Sequence, residues 1–321
     1  MTKISRKNGI IAVTIATFSV SFAPILVRLS QSPAQVIAFY RLGIASLITI
    51  SILTFLSGVD SQKYPMDTFR KISLKDWLLL VISGFFLAIH FYSWMLSIKL
   101  TTVALSTLFV DTSPLFVIIV AFLFLNEKIN MDQLAGIICA FLGVVILIGP
   151  GLAIFTAEDL LGIAMSLIGA VTVAFYVVIG RSFRANMGMW HYTVIVYSSC
   201  AFWLLVINIP DLNAVTEAFI LPRELVIFIL LAVLGSILGH SIYNYALKYL
   251  KGSTVSICFL GEAVAASVYA VFLFSEIPSW NIIVGGAVML TGIVITIYYE
   301  NRTGFITRLK NSRISKKPIM N

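Results

Sequence analysis

Stretches of about 20 apolar residues recur from one end of the chain to the other, with only short polar breaks between them. A bilayer core of about 30 Å takes roughly that many residues of α-helix. The pattern predicts spans at 9–29, 34–56, 76–98, 102–125, 131–149, 159–180, 190–209, 224–247, 253–275 and 279–299. The period-two alternation of a membrane β-barrel is absent. No hydrophilic stretch is long enough to form a soluble domain.

The second half of the chain is an offset copy of the first. A shift of 149 residues places Lys99–Ile148 on Lys248–Ile297 without a gap, matching Ala121 with Ala270, Glu127 with Glu276, Gly136 with Gly285 and Gly143 with Gly292. An earlier register of 153 places Gly9 on Gly162, Phe22 on Phe175 and Arg28 on Arg181. Each copy holds five expected spans, and an odd number forces the second copy to insert upside down. Inverted repeats put a shared site near the bilayer midplane. The expected fold is an all-α integral membrane protein with ten transmembrane helices in two inverted five-helix repeats. The repeats cover 9–149 and 159–299, joined by an external linker at 150–158. A cytoplasmic N-terminus (1–8) and a basic cytoplasmic tail (300–321) flank them.

Composition supports this class: 60% of residues are hydrophobic and 11% charged. Charge then sets the orientation. With the N-terminus inside, 18 Lys and Arg residues fall in cytoplasmic segments, while Arg28, Lys99 and Arg223 fall outside. That bias places both termini in the cytoplasm of a multi-pass cell-membrane protein. The net charge of +8 is accounted for by loops facing anionic lipid and calls for no nucleic acid. Lys3, Arg6 and Lys7 precede the first apolar run in the manner of a signal peptide. The run is too long, however, and it ends in Arg28 without a small-residue cleavage site, so it reads as a retained span. Cys139, Cys200 and Cys258 all fall within spans and lack CxxC spacing, which suggests neither a disulfide framework nor a zinc site.

Several short motifs stand in a fixed order. Gly84-Phe85-Phe86-Leu87-Ala88-Ile89-His90-Phe91 is followed by Ser113-Pro114-Leu115-Phe116 and Glu127. The second copy has Gly239-His240, then Tyr243-Asn244-Tyr245-Ala246-Leu247-Lys248-Tyr249, then Glu262 and Glu276. With the two-fold repeat, this order resembles the EamA-like family of the drug/metabolite transporter superfamily over about residues 9–299. The resemblance implies helices one to four and six to nine around a central cavity, with five and ten at the periphery. The family often carries Glu-Pro in helix nine, where this chain has Glu262-Ala263. Proline removes a helical hydrogen bond and favours a kink. Helix four, with Pro114, should therefore bend near its middle, and helix nine should be straighter than in relatives.

Few ionisable groups lie well inside the spans: Arg41, His90, Asp111, His240 and Glu262. A charge inside the membrane costs about 2.5–3.5 kcal/mol or more, so such residues mark function or a tie between helices. At about 1.5 Å per residue, Arg41 lies roughly 10 Å and Asp111 roughly 14 Å below the outer surface of the core. By the same measure Glu262 lies roughly 14 Å from the inner surface. Arg41 and Asp111 are thus at similar depth, suited to pair with each other or with a substrate. Tyr40, Trp94, Tyr243 and Asn244 join this set as candidate cavity residues, with packing or interface anchoring as the alternative role of the aromatics. Gly136, Cys139, Ala140 and Gly143 in span five and Gly285, Gly286 and Gly292 in span ten permit close helix packing, within the chain or in a homodimer. Glu127 and Glu276 are expected to stabilise helix ends.

The spans contain no HExxH, no GxSxG and no clustered carboxylates, so no catalytic residue, metal ligand or cofactor is expected. A P-loop is also absent. The expected function is alternating-access export or exchange of a small polar or amphipathic metabolite, such as an amino acid or organic anion, with proton coupling through Asp111 or Glu262. The alternatives are an uncoupled facilitator for another metabolite class and an intramembrane structural subunit. The expected partners are a small-molecule substrate and the lipid bilayer.

Overall fold

The computed structural model describes the backbone of residues 3–125, 129–148, 155–184, 187–242 and 260–314. Within these, the side chains of 3–10, 125, 147–148, 181–182, 184, 240–241, 297 and 300–314 are not described. The described residues are helical or in short connections, with no strand among them. The α-helices are α1 (Lys3–Leu29), α2 (Ala34–Val59), α3 (Leu74–Leu100), α4 (Val103–Val110), α5 (Ser113–Leu125), α6 (Met131–Ile148) and α7 (Ala157–Arg184). They continue with α8 (Met189–Asn208), α9 (Leu212–Ile220), α10 (Pro222–Leu230), α11 (Gly261–Phe274) and α12 (Trp280–Ile314).

Local chemistry sets the helix starts. Thr156 Oγ1 accepts from the Asp159 amide at 3.1 Å while an Asp159 carboxylate oxygen accepts from the Thr156 amide at 3.1 Å, a capping box opening α7. Asn130 and Gln133 exchange the same two bonds ahead of α6, at 2.8 and 2.9 Å. Ser73 accepts from the Asp76 amide at the start of α3.

Among the described residues, seven helices are long and apolar enough to cross a membrane: Ile11–Leu29, Ala34–Val59, Leu74–Leu100, Val103–Phe124, Ala157–Gly180, Met189–Ile220 and Pro222–Gly239. Shorter apolar helices, Met131–Ile146, Gly261–Phe274 and Trp280–Thr296, fall where spans five, nine and ten are expected. Large apolar side chains such as Phe55, Leu123, Phe124 and Phe272 are exposed around the bundle. That surface suits lipid, whose hydrocarbon satisfies no backbone polar group and so demands helices.

Several elements differ from expectation in detail. Span four is two helices, α4 and α5, separated at Asp111-Thr112. Pro114 lacks the N–H that would bond to the Val110 carbonyl, so the expected bend appears here as an interruption. The expected outer loop near Asp211–Glu217 is instead helical: Asp211 caps Ala214, and α9 buries Val215 and Ala218. From Leu231 to Ser241 the helix after α10 is π-helical. The tail is helical as far as Ile314, beyond the expected end of span ten.

The packing follows a regular scheme. α3 lies along α7, and α1 along the π-helical segment; α2 lies along α8, α4 along α11, and α6 along α12. The α6–α12 contact brings backbones together. A Cβ at Gly136 would run into Thr296, one at Gly143 into the Met289 backbone, and one at Gly292 into the Ala140 backbone. These small residues are consumed by a contact within the chain, as close helix packing in membranes requires.

Candidate functional site

The polar centre of the bundle begins with Arg41 on α2, whose neighbours along the helix are nearly all apolar. Its side chain is fully buried. The guanidinium lies 4.4 Å from the Phe91 ring centroid and 5.8 Å from that of Trp94, both on α3. Such cation–π contacts offset part of the desolvation. Nε donates to Ser236 Oγ at 3.2 Å. Ser236 lies in the π-helical segment, a local widening that recurs at functional sites. Gly235 beside it supplies room, since a Cβ there would stand 2.7 Å from Nη2. Both terminal nitrogens, Nη1 and Nη2, are buried and have no hydrogen-bond partner among the described residues. Tyr197 and Cys200 on α8, and Glu262 on α11, lie within the electrostatic reach of the guanidinium.

Two acids face one another across the repeats. Asp111 sits in the break between α4 and α5, where its own amide still bonds to the Thr107 carbonyl at 3.0 Å. The Thr112 hydroxyl takes the Phe109 carbonyl at 2.6 Å. The Asp111 carboxylate accepts from the backbone amide of Ala263, in the first turn of α11. A carboxylate at a helix N-terminus meets free N–H groups and the positive end of the dipole. Oδ2 of Asp111 is buried and has no hydrogen-bond partner among the described residues. Glu262, also in the first turn of α11, is buried within the field of both Asp111 and Arg41. At the repeat shift of 149, the break at Asp111-Thr112 falls on Leu260-Gly261, where the described part of span nine begins. The discontinuity of one repeat therefore meets the corresponding position of the other.

One expectation is corrected. Arg41 and Asp111 do not form an ion pair. The ion pairs among the described residues are Arg28–Glu276 at 3.1 Å and Lys71–Asp67 at 2.7 Å. Depth along the membrane normal says nothing about lateral position. Asp111 turns toward the start of α11, whereas Arg41 turns toward α3 and the π-helical segment, and Glu262 stands within reach of both.

The other candidates divide. His90 is buried on α3 with Nδ1 2.9 Å from the Gly169 carbonyl of α7, so Nδ1 carries the hydrogen. Its ring stacks on Trp94 at 6.2 Å between centroids. Trp94 is buried, its indole nitrogen has no hydrogen-bond partner among the described residues, and it lies beside Arg41. Tyr40 points elsewhere: its hydroxyl donates to the Val215 carbonyl at 2.8 Å and its ring stacks on Phe228 at 4.7 Å, tying α2 to α9 and α10. His240 lies in the π-helical segment, but its side chain is outside the described residues, as are Tyr243 and Asn244 and also Glu127. No group of three His, Cys, Asp or Glu able to hold a metal occurs among the described residues. Sequence reasoning missed Phe91, Gly235 and Ser236 as neighbours of Arg41. A single Ser or Gly in an apolar helix carries no signal of the charge it will face.

A second polar network closes one end of the bundle. Arg28 donates to the carbonyls of Ile98 at 2.8 Å and Thr101 at 3.3 Å, and pairs with Glu276. The other Glu276 oxygen accepts from the Val103 amide at 2.9 Å. Glu224 holds the turn after α1 through Ser30, Ser32 and the Gln31 amide, and Lys99 donates to the Ser30 carbonyl.

Comparison with known proteins bears on these features. A sequence profile of the EamA-like transporter family matches residues 7–149 and 160–298. An uncharacterized transporter of Archaeoglobus fulgidus is 23% identical over 297 residues, covering 91% of this chain and 97% of that protein. An S-adenosylmethionine uptake transporter of Rickettsia bellii is 24% identical, covering 83% of this chain and 84% of its own. That of Rickettsia prowazekii is likewise 24% identical over 271 residues. A crystal structure with TM-score 0.57 and 15% identity covers 94% of this chain and 99% of its own, a likeness of fold.

Proposed function

The chain belongs to the EamA-like transporter family, and from that premise we propose that it is an alternating-access carrier of small metabolites bearing a carboxylate. Amino acids and other organic anions make up the class. The observation that carries this reading is the pair of buried, unpartnered terminal nitrogens on Arg41. A guanidinium presents donors in a fork that matches a carboxylate bidentately. A buried polar group left without a partner is costly, and an arriving carboxylate would satisfy both nitrogens at once.

Alternating access rests on two halves related by inversion. The contact scheme supports that relation: span one pairs with eight as six pairs with three, while two with seven, four with nine and five with ten are each self-matched. In this reading all ten apolar helices cross the cell membrane and both termini are cytoplasmic. The acid pair Asp111–Glu262 at the crossing of the halves is the coupling site, carrying a proton in part of the cycle. Among the described residues, Arg41 from α2 lies within reach of Glu262, and His90 from α3 with Tyr197 and Cys200 from α8 lie within reach of Arg41 in turn. Two adjacent carboxylates out of water rarely both stay ionised without a cation.

Purified protein in proteoliposomes tests the reading. Uptake of labelled amino acids and organic acids, with and without an imposed pH gradient, is expected to show at least one carboxylate-dependent substrate. Equal uptake of a substrate and its decarboxylated analogue would remove the Arg41 reading.

A further inference from the structure

Among the described residues, the central site holds more negative than positive charge. Arg41 is the one Lys or Arg of the predicted spans that lies well inside them. Lys99 is committed to the Ser30 carbonyl and Arg28 to Glu276, both at the bundle end. His90 donates Nδ1–H to Gly169 and is counted neutral. Against Arg41 stand two buried carboxylates, Asp111 and Glu262, each within the electrostatic reach of the other. With both acids ionised, one negative charge is left uncompensated in a low-dielectric bundle, a costly condition. Each sign of charge also offers a bonding position unfilled among the described residues: Nη1 and Nη2 of Arg41, and Oδ2 of Asp111.

We propose that the site selects α-amino acids carrying a second, fixed positive charge, so that the bound ligand is a net monocation. The carboxylate docks on Arg41, the α-ammonium pairs with Glu262, which lies within reach of the guanidinium, and the second cationic group takes Oδ2 of Asp111. Carboxylate and ammonium sit on one carbon in such a ligand, so they match Arg41 and Glu262, and a second cation further along the molecule reaches Asp111, which lies beyond Glu262. A neutral zwitterion satisfies Arg41 and Glu262 but leaves the excess negative charge in place at Asp111. It binds well only when a proton joins it. Phe91 and Trp94, which cover the guanidinium, supply the apolar wall that small-ligand sites combine with a few fixed polar groups. Arginine and S-adenosylmethionine both belong to this class, one through its guanidinium and the other through its sulfonium.

The proposal rests on the carboxylate-docking reading of Arg41, and the test separates the two. The full-length protein in detergent is titrated, by ligand-induced thermal stabilisation, with matched probes. Arginine is compared with citrulline, and S-adenosylmethionine with S-adenosylhomocysteine; each second member lacks the extra positive charge. Agmatine, which is arginine without its carboxylate, completes the set. The expected result is at least tenfold tighter binding of one or both cationic members than of their neutral partners, with agmatine at least tenfold weaker than arginine. Equal affinities within both pairs, with agmatine still weak, would overturn the charge selection and leave the Arg41 reading standing. Agmatine binding as well as arginine would overturn the Arg41 reading, and no binding by any probe would overturn both. Asp111→Asn is expected to bring the cationic-to-neutral ratio close to one. Glu262→Gln is the second variant should Asp111→Asn fail to fold, and an unchanged ratio in a folded variant would also overturn the proposal.

Discussion

Glu276, just after α11, forms an ion pair with Arg28 at the end of α1, at 3.1 Å, and with its other oxygen accepts the Val103 amide that opens α4. Second-repeat Glu276 thus joins two helix ends of the first repeat, with Arg28 in turn capping the carbonyls at the end of α3. The expected role at a helix end is met, but it operates between halves rather than within one hairpin. Any motion that opens this face by separating the repeats must break both contacts.

Glu276→Gln keeps an acceptor for Val103 and loses only the ion pair. Because Arg28 is about one-third exposed, the expected loss is at most about 1 kcal/mol. Glu276→Leu removes the acceptor as well, and a loss of about 1–3 kcal/mol is expected. Thermal unfolding of both variants in detergent checks the order; equal melting temperatures would contradict it.

Arg41→Lys is expected to lower carboxylate-dependent transport at least tenfold. Lysine keeps the charge but lacks the forked donors and the planar face that lies on Phe91. Arg41→Gln should be worse still, since it leaves both acids without their nearest cation. Transport normalised to folded protein is the measurement, and wild-type rates in Arg41→Lys would count against a bidentate contact.

Glu262→Gln mimics the protonated acid. The expected outcome is retained exchange of substrate across the membrane with loss of accumulation driven by a pH gradient. Proteoliposomes with and without an imposed gradient read this directly. Gradient-driven accumulation that persists in the variant assigns the coupling proton elsewhere.

Gly143→Ala is expected to lower stability or folded yield by about 1–3 kcal/mol, since the added Cβ would meet the Met289 backbone, which cannot rotate away. Gly43→Ala serves as the contrast, because a Cβ there meets nothing within 4 Å. Comparable melting temperatures for the two variants would show that α6 and α12 can separate without consequence.

Reporter fusions after Glu300 and within α9 test the proposed orientation. A cytoplasmic signal at the first and an external one at the second are expected; the opposite pattern would reverse the reading of the basic residues.

The apolar run lengths alone determined that this is a bundle of membrane-length helices, because a hydrocarbon core accepts little else. The self-similarity at a shift of 149 residues marked two copies, which the two matches to the family profile share, and Pro114 predicted a bend in span four where the structure has an interruption, since a missing N–H acts locally. The list of costly interior charges was also legible, because burial of Arg41, Asp111 and Glu262 follows from their place within apolar spans. Which of these would meet was not legible. Depth can be counted along a helix, but rotation about its axis and the choice of neighbours are set by packing against every other helix. Only the tertiary structure turned Tyr40 toward Val215, set Gly235 and Ser236 against Arg41, and gave Asp111 the amide of Ala263 in place of an ion pair with Arg41.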